Sequence, residues 1–146
     1  WAEPVVAQTQ YRITPPGAAG VDRHQDSTTV WTEPQTCLGM WLALEDADEQ
    51  NGCLFLRPGS HVGEVRERLV RRRCAEGSCG AAGVRLEFEV RANVTLASEA
   101  DFVPAPVRSG DLVVMHGTLD HVSHRSRDLK RSRESLQVHL VERSSR

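Results

Sequence analysis

His24, Gln25 and Asp26 put an imidazole and a carboxylate two positions apart, and on an extended backbone such side chains leave the chain on the same face. Two imidazoles and one carboxylate make the facial set used by non-heme Fe(II), because these donors hold the ion and leave three coordination positions open. Beyond His24, the histidines at 61, 116, 121, 124 and 139 compete to supply the second imidazole. Open positions on Fe(II) are where a chelating cosubstrate and O2 bind, so the chemistry in view is dioxygen activation. A His-x-Asp pair alone is more common as a surface pair or a hydrogen-bonded core histidine, so this reading depends on its company.

Such a set needs stiff elements to hold it, and the sequence offers mainly short strands. Residues 5–13 alternate, with Val5, Ala7, Thr9, Tyr11 and Ile13 on one face and Val6, Gln8, Gln10 and Arg12 on the other, until Pro15-Pro16-Gly17 ends the run. Residues 24–31 are a second extended candidate. Residues 37–44 are almost continuously apolar, as a strand covered on both faces would be. Asn51-Gly52 signals a hairpin returning the chain into residues 53–56. Residues 62–74, with Val65 and Leu69 four apart among arginines, are expected as a short amphipathic helix or a structured loop. Residues 84–90 alternate cleanly, and residues 111–115 and 136–141 supply two further strands. Many short strands punctuated by glycine and proline, with hardly any helix, predict an all-β barrel or jelly roll.

The 146 residues suit one domain, 1–146, and a hydrophobic fraction of 39% can fill one core. A formal net charge of −2 with both signs interspersed gives no whole-chain argument for binding nucleic acid. The arginines at 66, 68, 71, 72 and 73 read as a solvated face balanced in part by Glu64 and Glu67. The longest apolar run, near residues 38–44, is far too short for membrane insertion. Trp1 is not an initiator methionine, so the chain is expected to be trimmed from a longer protein. Cys37 and Cys53 sit in apolar runs as small buried residues; Cys74 and Cys79 are expected as free thiols rather than a disulfide or a zinc half-site. An intracellular, cytoplasmic protein follows, with the peroxisome as the alternative.

His24-Gln25-Asp26, Trp41, Asn51-Gly52-Cys53-Leu54, Pro58-Gly59-Ser60-His61, Gly110-Asp111, His116-Gly117, His121 and Arg133 together resemble the phytanoyl-CoA dioxygenase family of Fe(II)- and 2-oxoglutarate-dependent oxygenases. The likeness runs over about residues 4–142, and 68–98 is its least matched part. It implies a double-stranded β-helix, the cupin-like jelly roll, with the family's N-terminal helical segment absent from this chain. It also implies that His24, Asp26 and His121 bind the metal, and that His116 and His124 lie behind it or on the surface. By the same resemblance Arg133 anchors the cosubstrate, with Arg131 the alternative because the interval from His121 is one residue longer than in the family. Ser123, Trp41 and Gln10 take positions that contact 2-oxoglutarate there, while a lysine the family supplies from an upstream strand has no counterpart.

Guanidinium chemistry fits the anchoring role, since a planar, permanently charged fork matches a buried carboxylate in a way lysine does not. The implied reaction hydroxylates a small-molecule substrate, lipid-like or CoA-linked, using Fe(II), 2-oxoglutarate and O2, releasing succinate and CO2, with ascorbate as a candidate reductant. A degenerate jelly roll that binds ligand without turnover is the non-enzyme alternative. Oligomeric state has no signature in the sequence. Substrate selection is expected in residues 68–98, since loops at a barrel mouth carry specificity.

Overall fold

The computed structural model describes residues 1–75, 83–91 and 97–145. The described residues form ten strands: β1 (Pro4–Thr14), β2 (Val21–His24), β3 (Leu38–Ala43), β4 (Leu54–Leu56), β5 (Glu67–Arg73), β6 (Val84–Val90), β7 (Val103–Ala105), β8 (Leu112–His116), β9 (His121–Ser123) and β10 (Arg133–Glu142). One sheet runs β1-β10-β3-β8, a second β2-β9-β4-β7, and β5 and β6 form a separate two-stranded ribbon. Every pairing is antiparallel. This is the all-β jelly roll expected from the pattern of short strands, in the cupin-like form that the resemblance implied.

Alternation decides which side chains enter the space between the sheets. In β3, Gly39, Trp41 and Ala43 are buried while Leu38, Met40 and Leu42 are only partly covered. In β10, Arg133, Ser135 and His139 are the buried positions of an otherwise partly covered strand. The apolar core is Trp41, Ala43, Ala47, Cys53, Leu54 and Met115, with Phe55, Leu56 and Val113 packed against it. On β1 the face bearing Tyr11 and Ile13 is exposed, whereas Gln8 and Gln10 are half-buried.

Three local expectations change. The segment 24–31 is not a strand: β2 ends at His24 and the chain winds into one 3-10 turn, Asp26–Thr28, held by the Thr29 N–H and Oγ1 donating to the Asp26 carbonyl. Threonines that favour strands also bond the local backbone, and here that second tendency prevails. Asn51-Gly52 does turn the chain, with Gly52 at φ 91°, but β3 and β4 belong to different sheets, so the turn crosses between layers instead of closing a hairpin. The Asn51 side chain explains this, because it accepts from the Asp48 N–H and donates to the Asp46 and Ser132 carbonyls, tying the turn to the start of β10. Finally, residues 67–73 form strand β5 and not a helix. Arg68 pairs with Glu89, and Arg72 with Glu87 and Glu89, across the ribbon, so the arginine face is balanced mainly by β6.

Cys37 and Cys53 are free and buried as expected, and burial pushes their thiols up to about 12 and about 11. Cys74 is disulfide-bonded, which corrects the free-thiol expectation; Cys79 lies outside the described residues. The Cys74 N–H donates to the Gly83 carbonyl at 3.0 Å, so the ends of the ribbon are drawn together where the bond forms. The argument for a reducing compartment from that cysteine pair therefore lapses. Among the described residues no helix is long and apolar enough to cross a membrane.

Candidate metal centre and cosubstrate pocket

β2 and β9 pair so that His24 lies directly opposite His121, with ring centroids 4.2 Å apart. Each ring is oriented in the same way. Nδ1 of His24 lies 2.8 Å from the Asp22 carbonyl, and Nδ1 of His121 lies 3.0 Å from the Leu119 carbonyl. A carbonyl only accepts, so both Nδ1 atoms carry the proton and both Nε2 atoms keep a free lone pair, the state in which imidazole binds a metal. Asp26, in the 3-10 turn just after β2, points its Oδ1 at both: 3.6 Å from His24 Nε2 and 3.7 Å from His121 Nε2. Ligand atoms of the three residues all lie within 4.8 Å of one another.

The carboxylate is held from the other side by the first sheet. His139, on β10, brings Nε2 to 3.2 Å from Asp26 Oδ2, leaving Oδ1 for the histidine side. Gly39, on β3, makes room: a Cβ there would stand 2.7 Å from Asp26 Oδ2. Burial opposes the charge on Asp26, but His139 on one side and His24 and His121 on the other outweigh it, and its carboxyl sits well below the ordinary range. Burial lowers the pKa of His121, keeping it a neutral donor. Burial acts against the His24 cation, yet the neighbouring Asp26 carboxylate and the Asp22 carbonyl favour it and raise its pKa. Asp26 and His121 are buried, whereas the His24 side chain is 36% exposed and forms the open edge.

The triad lines a cavity of about 200 Å³ that also takes Gln10, Arg12, Trp41, Ser123, Arg133 and Gln137. Arg133 is 2% exposed, its guanidinium carbon is 5.4 Å from the Trp41 ring centroid, and Nη1 donates to Ser135 Oγ at 3.2 Å. Its Nε is buried without a hydrogen-bond partner among the described residues. Burial, with the charge of Arg12 adding to it, pushes its pKa down to about 10, so it remains a cation at neutral pH. A buried cation that lines a cavity and has no anionic partner among the described residues suits a carboxylate ligand. Arg131 is different: it is exposed and already paired with Asp128 at 2.6 Å and Asp48 at 2.9 Å.

All seven residues singled out from the sequence, His24, Asp26, His121, Arg133, Ser123, Trp41 and Gln10, line this one cavity. Ser123 is buried and its Oγ accepts from the Val21 N–H. His116 instead bonds Thr118, and His124 packs its ring edge against Phe55. Gln137, Arg12 and the cleared space at Gly39 escaped the sequence reading. Gln137 was within reach of it, since residues 133, 135, 137 and 139 share one strand face; the need for a glycine at 39 has no local signal.

The phytanoyl-CoA dioxygenase (PhyH) family model matches residues 2–134. Phytanoyl-CoA dioxygenase 1 of Oryza sativa subsp. japonica is 38% identical over 143 residues, covering 97% of this chain and 46% of the rice protein. Phytanoyl-CoA dioxygenase domain-containing protein 1 of Bos taurus is 40% identical over 141 residues, covering 95% of this chain and 45% of the bovine one. The chain thus spans about half the length of the curated relatives it matches. Among solved structures it is similar to the apo form of the non-heme monooxygenase ThoJ, at TM-score 0.70 and 20% identity over 99% of this chain and 48% of that one. EvdO2 of Micromonospora carbonacea var. aurantiaca, complexed with 2-oxoglutarate, gives a TM-score of 0.68 and 20% identity over 99% of this chain and 54% of that one. Those two likenesses speak to the fold. On the family match and the curated relatives, the chain belongs to the phytanoyl-CoA dioxygenase (PhyH) family.

Proposed function

We propose that residues 1–146 form a single oxygenase jelly-roll domain in which His24, Asp26 and His121 hold Fe(II) and Arg133 binds the distal carboxylate of 2-oxoglutarate. The observation that carries this is the convergence of two Nδ1-anchored imidazoles on one oxygen of an ionised, buried carboxylate. That donor set suits Fe(II), with ligand type and open positions matching the facial arrangement. Iron loaded with 2-oxoglutarate and O2 supplies the oxidising power, one oxygen atom ending in succinate and the other in the hydroxylated product, with loss of CO2.

The protein's own part is placement. Leu119 and Asp22 carbonyls hold the imidazole protons on Nδ1, and His139 fixes the second oxygen of Asp26. Ser123, Trp41 and Gln10 line the space beside the Arg133 guanidinium, giving the cosubstrate a polar end and a flat wall. Burial of Asp26 and Arg133 keeps water from screening their charges, which strengthens each contact. The substrate is a small molecule that approaches the open His24 edge, and ascorbate serves as the reductant that keeps iron ferrous. A jelly roll that binds without turnover is the second reading, since a ligand set and an anchor suffice for binding alone. Anaerobic addition of Fe(II) and then 2-oxoglutarate decides the site: a weak visible charge-transfer band should appear, and Asp26→Ala should remove it. Admitting O2 separates the two readings, because only the oxygenase releases succinate. A wild-type chain that gives no band refutes the assignment.

A further inference from the structure

The ladder that carries the two imidazoles is short. It registers Val21 with Ser123 and His24 with His121, with an irregularity between them. So little pairing leaves room for the strands to slide or twist, and a metal site needs its ligands held to about half an ångström. One residue before each histidine stands a charge, Arg23 and Asp120. By strand parity Arg23 leaves β2 on the face opposite the His24 imidazole, and Asp120, just before β9, turns to the same side.

There they meet. Arg23 Nε donates to Asp120 Oδ2 at 2.7 Å, and Arg23 Nη2 lies 2.6 Å from the same oxygen. Arg66, just before β5, brings Nη1 to 2.7 Å from that oxygen as well. Asp120 is fully buried, and its main chain is also committed, the N–H donating to Ser60 Oγ and the carbonyl accepting from the Arg57 N–H. Its other oxygen, Oδ1, is buried with no hydrogen-bond partner among the described residues. A carboxylate held on one oxygen by two guanidiniums while the other goes unused is poor economy for stability alone.

The third arm of the cluster ties in the residue between the two β2-side ligands. Gln25 is buried, its Oε1 accepts from the Arg66 N–H at 3.0 Å, and its Nε2 donates to the Thr118 carbonyl at 2.8 Å. Arg66 in turn accepts at its carbonyl from the Arg91 N–H, at the base of the β5–β6 ribbon. The segments 23–26, 118–121 and 66 are thereby locked together behind the ligand face.

We propose that Asp120 is a positioning residue for the metal centre, gathering Arg23 and Arg66 onto its buried carboxylate and so setting the spacing of His24 and His121. This rests on the triad being a metal site, and the test separates the two. The metal-free whole chain is titrated with Co(II), a redox-silent probe whose visible d–d bands report ligand geometry. Asp120→Asn, which keeps the shape and removes the charge, should weaken Co(II) binding about tenfold or more and move the d–d bands, as loss of an outer partner of a ligand does. Arg23→Lys, which keeps charge but not the fork, should fall between wild type and Asp120→Asn. If Asp120→Asn does not fold by near-ultraviolet circular dichroism, the double variant Arg23→Met with Asp120→Leu refills the space with apolar volume and is expected to fold yet bind Co(II) at least tenfold more weakly. Wild-type affinity and bands in the variant that folds overturn the proposal. A wild-type chain that ignores Co(II), or binds it equally after Asp26→Ala, overturns the metal site itself.

Discussion

Replacing Arg133 with methionine should act with opposite sign on cosubstrate binding and on the stability of the metal-free protein. Its guanidinium is 2% exposed, has no carboxylate within ion-pair distance among the described residues, and rests on Trp41 and Ser135. The fall of its pKa from 12.5 to about 10 means that the folded surroundings disfavour the cation. At about 1.4 kcal/mol per tenfold this is roughly 3 kcal/mol, and water entering the adjoining cavity reduces the net gain from removing the charge to about 1–2 kcal/mol. Arg133→Met should therefore raise the unfolding midpoint of the metal-free chain by about 2–8 °C, on the scale expected for a chain of this size. Breaking the charge pair with the distal carboxylate should cost about 3–5 kcal/mol, weakening 2-oxoglutarate by two to three and a half orders of magnitude. Calorimetric titration of 2-oxoglutarate into the Ni(II)-loaded protein and thermal unfolding of the metal-free protein measure the two quantities. Arg131→Ala, which removes only exposed pairs, should leave cosubstrate affinity almost unchanged. Retained affinity in Arg133→Met together with a lowered midpoint would refute the reasoning, showing the arginine to be a structural cation.

Three other outcomes are expected. Gly39→Ala drives a methyl group to 2.7 Å from Asp26 Oδ2, so Ni(II) affinity should drop about tenfold or more while the circular dichroism spectrum stays native; unchanged affinity would mean the carboxylate can retreat freely. Asp26→Gly opens a coordination position while keeping both imidazoles, so hydroxylation should collapse and any residual product should change with added chloride; full activity in liquid-chromatography assays would show that Asp26 is not a ligand. Because Asp26 raises the pKa of His24, a proton competes with metal at His24 first, and Ni(II) affinity should decline as pH falls through a value above 6.5; a flat profile between pH 6 and 8 would contradict the geometry. In the metal-free chain the same raised pKa stabilises the fold at low pH, an effect lost as pH rises through the folded value.

What could be read from the sequence followed the reach of each signal. Alternation in residues 84–90 and apolar continuity in 37–44 depend only on neighbours along the chain, and both became strands, β6 and β3. The three-residue strands β4, β7 and β9 contain too few residues to show a period, and only residues 53–56, carrying β4, announced themselves, through the preceding turn. Residues 67–73 were misjudged because their stabilising partners, Glu87 and Glu89, lie on another strand and are invisible to a local count. The site residues were legible mostly through family likeness. Chemistry then separated Arg133 from Arg131: Arg133 opens β10 and is buried beside a cavity, while Arg131 lies before the strand and is spent on Asp128 and Asp48.

The site is divided between the sheets, and this division has consequences for what can disturb it. His24, His121 and Ser123 belong to β2 and β9, while Arg133, Trp41, Gln10 and His139 belong to the sheet of β1, β10 and β3. Asp26 bridges the halves, facing the two imidazoles with one oxygen and His139 with the other. The gap from the imidazole pair to the guanidinium is therefore set by the packing that separates the layers, in which Trp41, Leu54 and Met115 are core members. A core substitution outside the cavity lining, such as Met115→Ala, should degrade the fit of 2-oxoglutarate more than the affinity for metal, because the imidazole pair rides on one sheet and the guanidinium on the other. Equal losses of both would place the whole constellation on one rigid element, which this topology does not provide.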